Sequence, residues 1–223
     1  MAVVYFKNRV DAGRQAAAAL LGGAQSDTAA VVSMSTEALL VAFQLSEVLR
    51  CPLHLYLSQD VVVPGGLNVG AVNQEGGFSY GSQLGTGFSD YYYQEFRGYI
   101  EDSTRENFSQ LNRELGNREV LRKELLRGRD IYLVIDCLET VSSLDSFLAF
   151  AKTFVIGKVT ICAPLAMSKD MSHIQQVSDK YFVAGTVDFF YGVDHYFEDN
   201  TVIPRDRAID VVSHALELWP AAS

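Results

Sequence analysis

The repeated switch between strand-like and helix-like hydrophobic periodicity most constrains what this chain can fold into. Its clearest strand is Ile131 to Ile135, nearly all apolar and rich in β-branched residues, the pattern of a strand covered on both faces in a parallel sheet. Ala30 to Met34, Leu53 to Leu57, Val159 to Ala163 and Tyr181 to Ala184 read as further strands. Between them lie helical patterns at Arg9 to Leu21, Thr36 to Arg50, Ser142 to Phe154, Ser168 to Val177 and Asp206 to Leu218. Helices of that length between strands predict an open, doubly wound, mostly parallel α/β sheet. One region breaks the alternation. From Val61 to Gly87 the chain is Gly-rich, carries Pro64, and has short strand-like pieces at Val69 to Val72 and Phe78 to Tyr80. A polar, helical segment then runs from Ser89 and Asp90 to about Arg127, interrupted near Gly116. We read residues 61–127 as a hood-like excursion from a single domain spanning 1–223.

Composition excludes several classes of function. Acidic residues number 27 and basic ones 18, a net charge of −9 with no compensating Lys/Arg stripe, so a nucleic-acid backbone would meet a repulsive field. The longest apolar run, around Ala38 to Phe43, falls far short of the roughly 20 residues needed to span a bilayer. Lys7, Arg9 and Asp11 follow Met1 into a polar helix, unlike a secretory signal. Three cysteines, Cys51, Cys137 and Cys162, form no CxxC pair and sit in or beside apolar runs, as reduced, buried thiols do. A cytoplasmic protein that binds neither membrane nor nucleic acid is the expectation.

In a doubly wound sheet, ligands bind outside the carboxyl ends of the strands, near the point where strand order reverses. The turns after Met34, Leu57 and Ile135 are therefore the places to inspect. Around them stand Phe6, Arg9, Asp11, Ala12 and Gly13; Pro64, Gly65, Gly70, Ala71 and Val72; Gly128 to Asp136; and Tyr191 to Val193 with Tyr196 to Asp199. In this order and spacing the chain resembles type I phosphoribosyltransferases, most closely a bacterial stand-alone group of about the same length, and the resemblance covers nearly the whole chain. It implies the phosphoribosyltransferase fold and a site for phosphoribosyl pyrophosphate.

That site, as the resemblance implies it, has three loops, and this chain departs from all of them. The first has the form V-D-D-x-x-A-T-G-x-[ST], whose acids hold the ribose hydroxyls and whose amides and hydroxyls cradle the 5′-phosphate. It corresponds to Val134 to Ser143, where Asp136, Thr140 and Ser143 match, Ile135 replaces the first acid, Glu139 a small residue and Val141 the glycine. A β-branched residue resists the backbone angles that glycine permits. A carboxylate about 4 Å from the phosphate would repel it by about 4 kcal/mol per charge pair. The pyrophosphate loop, P-R-G-G in the family, corresponds to Ser35-Thr36-Glu37-Ala38, so its cation is replaced by an acid. An Arg-Lys pair ending the next strand corresponds to Gln59 and Asp60.

Simpler roles stand beside each of these. Asp136 can cap the turn after its strand; Cys137, with His173 or His195 as base, has no triad spacing to support it as a nucleophile. Hydroxyls at Thr140, Ser142 and Ser143 precede a helix, where capping is common. Asp194, His195, Glu198 and Asp199 read as a solvated acidic turn rather than a cation site, and no grouping has metal-ligand spacing. Helical spacing puts Tyr92, Phe96 and Tyr99 on one face, so a protein partner or self-association is expected there. The leading expectation is a phosphoribosyltransferase-fold protein that has lost transfer activity and acts as a binding, regulatory or scaffolding module without a cofactor. The alternative is a divergent active transferase taking phosphoribosyl pyrophosphate, Mg²⁺ and a nucleobase-like acceptor. A third is hydrolytic or metal-assisted chemistry by Glu37, Asp60, Asp136 and Glu139. No small-molecule ligand can be named.

Overall fold

The computed structural model describes residues 5–20, 28–82, 84, 86–138, 141–189 and 192–217. Its elements are α1 (Arg9–Leu20), β1 (Ala29–Ser33), α2 (Leu39–Leu49), β2 (Leu53–Leu55), β3 (Ser58–Val63), β4 (Leu67–Asn73), β5 (Phe78–Tyr80), α3 (Thr86–Leu115), α4 (Lys123–Leu126), β6 (Asp130–Val134), β7 (Cys137–Leu138), α5 (Ser142–Ala151), β8 (Val159–Met167), α6 (Met171–Val177), β9 (Lys180–Val187) and α7 (Arg205–Glu217). They form two compact units. The first comprises Met1–Leu55, Arg118–Glu139 and Val155–Ser223, the second Tyr56–Asn117 and Thr140–Phe154.

The first unit is the α/β body. Its strands run β2-β1-β6-β8-β9 with β7 also along β8, and every pairing is parallel. Ile131, Leu133 and Val134 of β6 are fully buried between β1 and β8, as a strand covered on both faces must be. Strand order reverses between β1 and β6, because the chain leaves β1 outward to β2 and returns to the other side of β1. Helix α2 turns its Leu39, Val41, Ala42 and Leu45 inward and ends at Arg50 in a left-handed conformation, after which Cys51-Pro52 forbids continuation. Gly13 lets α1 approach α2 closely, since a Cβ there would lie 2.9 Å from both the Val41 carbonyl oxygen and Gln44 Cβ.

β6 and β7 share one register along β8, with Val134 opposite Cys162 and Cys137 opposite Leu165. Continuing it sets Asp136 opposite Pro164, which has no N–H to give the ladder. The ladder therefore stops after the Ile135 N–H, which donates to Cys162 O at 3.0 Å, at the carboxyl end of the central strand. The sequence alone showed no separate β7.

The second unit is an antiparallel sheet, order β3-β4-β5, with α3 and α5. Val61, Val63, Val69 and Ile100 are its buried centre, with Phe78, Leu84 and Phe96 packed on them. Tyr56 stacks edge-on to Phe147 and its hydroxyl lies 2.9 Å from Ser146 Oγ. Gly65 and Gly66, both at positive φ, make the turn between β3 and β4. Four sequence expectations are corrected here. Strand β3 was not expected, and α5, read as one of the helices winding the parallel sheet, belongs with the antiparallel unit. The helix expected to reach about Arg127 ends at Leu115 before Gly116, whose φ of +59° suits a helix stop. The common face of Tyr92, Phe96 and Tyr99 does not hold as expected: Phe96 has non-helical angles and packs on the core, whereas Tyr99 is exposed. The Tyr92 side chain lies outside the described residues.

Candidate functional site

The carboxyl end of β6 holds the strongest sequence candidate, Asp136, and the structure buries it. Its Oδ2 accepts a hydrogen bond from Arg9 Nε at 2.9 Å, with the side chains 5% and 2% exposed, respectively. The pair is built from three distant pieces of chain. Arg9 opens α1, Asp136 ends the central strand 127 residues later, and Phe197 lies under the guanidinium with its ring centroid 4.6 Å from Cζ. Phe197 is itself held by the chain beside Phe6: the Phe6 N–H donates to Tyr196 O, the Glu198 N–H donates to Phe6 O, and the Phe6 and Phe197 rings stack at 5.5 Å. The Phe6-to-Gly13 and Tyr196-to-Asp199 stretches thus meet around one buried ion pair. Nearby in sequence, Asp199 is held below the usual carboxylate range by two hydrogen bonds from Thr201 and, to a lesser extent, by the Arg9 charge.

The turn after β1 is closed by its own side chains. Ser33 Oγ donates to Ser35 O at 2.8 Å, and Ser35 Oγ accepts the Ala38 N–H at 3.1 Å at the start of α2. Thr36 is buried and Glu37 is exposed.

Asp60 and Ser142 come together in the second unit. Ser142 Oγ donates to Asp60 Oδ1 at 2.6 Å, and Asn68 Nδ2 donates to Asp60 Oδ2 at 2.6 Å and to Ser142 Oγ at 3.1 Å. Gln59 and Asp60 therefore lie inside β3 of the antiparallel sheet, not at the end of a parallel strand where the resemblance set them. Ser142 does not cap α5 through its hydroxyl; the cap position is Val141, with no side-chain bond. Ser143 is half-buried. Glu139, Thr140 and Tyr191 lie outside the described residues, as does the side chain of Cys137, whose backbone pairs with Leu165. Burial pushes the thiols of Cys51 and Cys162 up to about 12, which keeps both in the unreactive protonated form.

Sequence reasoning missed Arg9 as the partner of Asp136 and missed His54. The His54 ring is fully buried in β2, Nδ1 accepts the Arg122 N–H at 3.3 Å, and Nε2 has no partner among the described residues. Burial, and then the charges of Arg129 and Arg122, hold its pKa down at about 3. Among the described residues no three His, Cys, Asp or Glu side chains gather to hold a metal ion, and no helix is long and apolar enough to cross a membrane.

No protein-family model matches the sequence, and no curated protein matches it. The fold matches that of TT1426 from Thermus thermophilus: TM-score 0.74, 18% identity, 94% of this chain and 98% of that one covered. Weaker structural likenesses include a purine phosphoribosyltransferase from Pyrococcus horikoshii (TM-score 0.44, 12% identity, 83% and 91% covered). The hypoxanthine-guanine phosphoribosyl transferase of L. donovani is another (TM-score 0.47, 9% identity, 91% and 94% covered).

Proposed function

We propose that this chain is a phosphoribosyltransferase-fold protein that no longer transfers phosphoribosyl groups and serves as a binding, regulatory or scaffolding module. The commitment of Asp136 carries this reading. A ribose-binding acid must face the ligand, whereas this one is 4% exposed and bound to Arg9. Freeing it would strand two buried charges, a change that costs about 3–5 kcal/mol when one partner of such a pair is lost. The resemblance supports the reading further, since the residues at the implied pyrophosphate and phosphate loops include Glu37, Glu139 and Val141. In the transferases Mg²⁺ arrives with the pyrophosphate; an acid already neutralised by Arg9 does not fit that role.

Titration calorimetry with phosphoribosyl pyrophosphate and Mg²⁺ tests the proposal. The expected result is no saturable heat. Binding tighter than about 100 μM, roughly 5.5 kcal/mol, would overturn it and favour the divergent transferase.

A further inference from the structure

Strand β2 pairs with β1 on one side, and on the other the chain that re-enters the first unit at Arg118 runs along it. Two hydrogen bonds join them, one in each direction. The Leu55 N–H donates to Val120 O at 2.8 Å, and the Arg122 N–H donates to His54 Nδ1 at 3.3 Å. Residues 118–126 are also tied to α7, where Arg118 Nη1 meets Asp210 Oδ1 at 2.7 Å and Arg122 Nη1 donates to Leu216 O at 3.0 Å. Val120, Leu121, Leu125 and Leu126 are buried, so the stretch lies closed at neutral pH. One bond among these depends on a group that titrates in mild acid. Because Nδ1 of His54 accepts, the proton of the neutral ring is on Nε2.

We propose that residues 118–126 form an acid-released strap: protonation of His54 frees this stretch from the edge of β2 while the rest of the parallel sheet stays folded. A second proton on the ring puts an N–H on Nδ1, facing the Arg122 N–H, so an acceptor becomes a donor set against a donor. The new imidazolium is also repelled by the guanidiniums of Arg122 and Arg129. The surrounding elements offer it no buried anion. β1 carries no charged residue, and the one on α2, Glu47, is exposed. On α7, Arg205, Asp206, Arg207, Asp210, His214 and Glu217 are all exposed. On the strap itself Lys123 is a further cation, whereas Glu119 and Glu124 are exposed, and burial keeps the thiol of Cys51 protonated. The ring therefore charges by leaving this environment, and moving the strap is the local way to do so. The device lies wholly within the first unit and stands whether or not the chain transfers phosphoribosyl groups.

Native-state hydrogen exchange of the full chain, followed amide by amide by NMR, reads the outcome. The amides of Leu55 and Arg122 report the strap, and those of Ile131 and Ile135, which bond to Lys158 O and Cys162 O, report the sheet. With a pKa of about 3 in the closed state and 6.5 once released, the protection of the two strap amides is expected to fall about eightfold between about pH 6 and about pH 5, above the range in which exposed carboxylates titrate. Below the urea transition their exchange is expected to be insensitive to urea, whereas that of Ile131 and Ile135 follows global unfolding. His54→Gln keeps an acceptor for the Arg122 N–H without the titration and is expected to abolish the eightfold fall. Strap amides that share the protection and urea dependence of Ile131 and Ile135 overturn the proposal, because release is then only global. Protection that does not change between about pH 6 and about pH 5 also overturns it, as does a fall that His54→Gln retains. The wild-type measurements decide alone if the variant does not fold.

Discussion

Replacing Arg9 by Met tests whether the Arg9–Asp136 pair is part of the fold or a remnant awaiting a ligand. Met keeps most of the apolar stem and removes the guanidinium. At 2.9 Å and an effective dielectric of about 20, the lost attraction is about 6 kcal/mol, partly offset because the cation no longer has to be desolvated. The variant keeps a buried carboxylate without this cation, and the measured cost of such a change is about 3–5 kcal/mol. Losing the guanidinium over Phe197 adds to that cost. Asp136→Leu strands the cation instead and is expected to cost a similar amount. The double variant is expected to be no less stable than either single one, giving a coupling energy of at least about 3 kcal/mol in urea titrations followed by circular dichroism. A deficit below about 1 kcal/mol, strict additivity, or a stabilising Asp136→Leu would refute the reasoning, the last because residues kept for ligands often cost stability.

His54 supplies a pH dependence of stability. Its folded pKa of about 3 lies below the unfolded 6.5, so the unfolded state alone gains protons between those values and stability falls as pH drops through that window. At about pH 4.5 the loss relative to neutral pH is about 2–3 kcal/mol, and a His54→Gln variant is expected to lack this component when the two urea-stability profiles are compared across pH. Gly13→Ala is expected to destabilise by about 1–3 kcal/mol despite the better helix propensity of Ala, since its Cβ would meet backbone at Val41; a more stable variant in urea unfolding would show that α1 and α2 can separate freely.

Much of the architecture was legible because it rests on local periodicity. Ile131 to Ile135 could be recognised as the central strand because being buried on both faces leaves a continuous apolar run. β3 was not legible: its first half, Ser58-Gln59-Asp60, is polar on a partly exposed strand, so the alternation signal is weak. That same misplacement put Asp60 at the end of a parallel strand. The assignment of α5 to the antiparallel unit could not be read either, because an amphipathic stripe says that a helix is covered but not by what. Arg9 stood among the residues that carry the resemblance, but no local pattern links it to an acid 127 positions away.

The three regions that the resemblance singles out share a physical feature that bears on any ligand they would take. Polar groups at these places are occupied by the chain itself: Asp136 by Arg9, the Ala38 N–H by Ser35 Oγ, and Asp60 by Ser142 and Asn68. Each such bond is a competitor that a ligand must displace, and displacement is costliest where the groups are buried and charged. A ligand needing Asp136 alone would forfeit about 3–5 kcal/mol, a factor of roughly 10² to 10⁴ in affinity, before making any contact of its own. Pro164 reinforces the arrangement. With no N–H to continue the ladder beyond the Ile135–Cys162 bond it ends the pairing beside Asp136, whose carboxylate is held by the first turn of α1. On the proposed reading, a ribose-binding acid at this place therefore requires more than replacing Ile135 by Asp. It also requires a different partner for Arg9, whose guanidinium is held between Asp136 and Phe197.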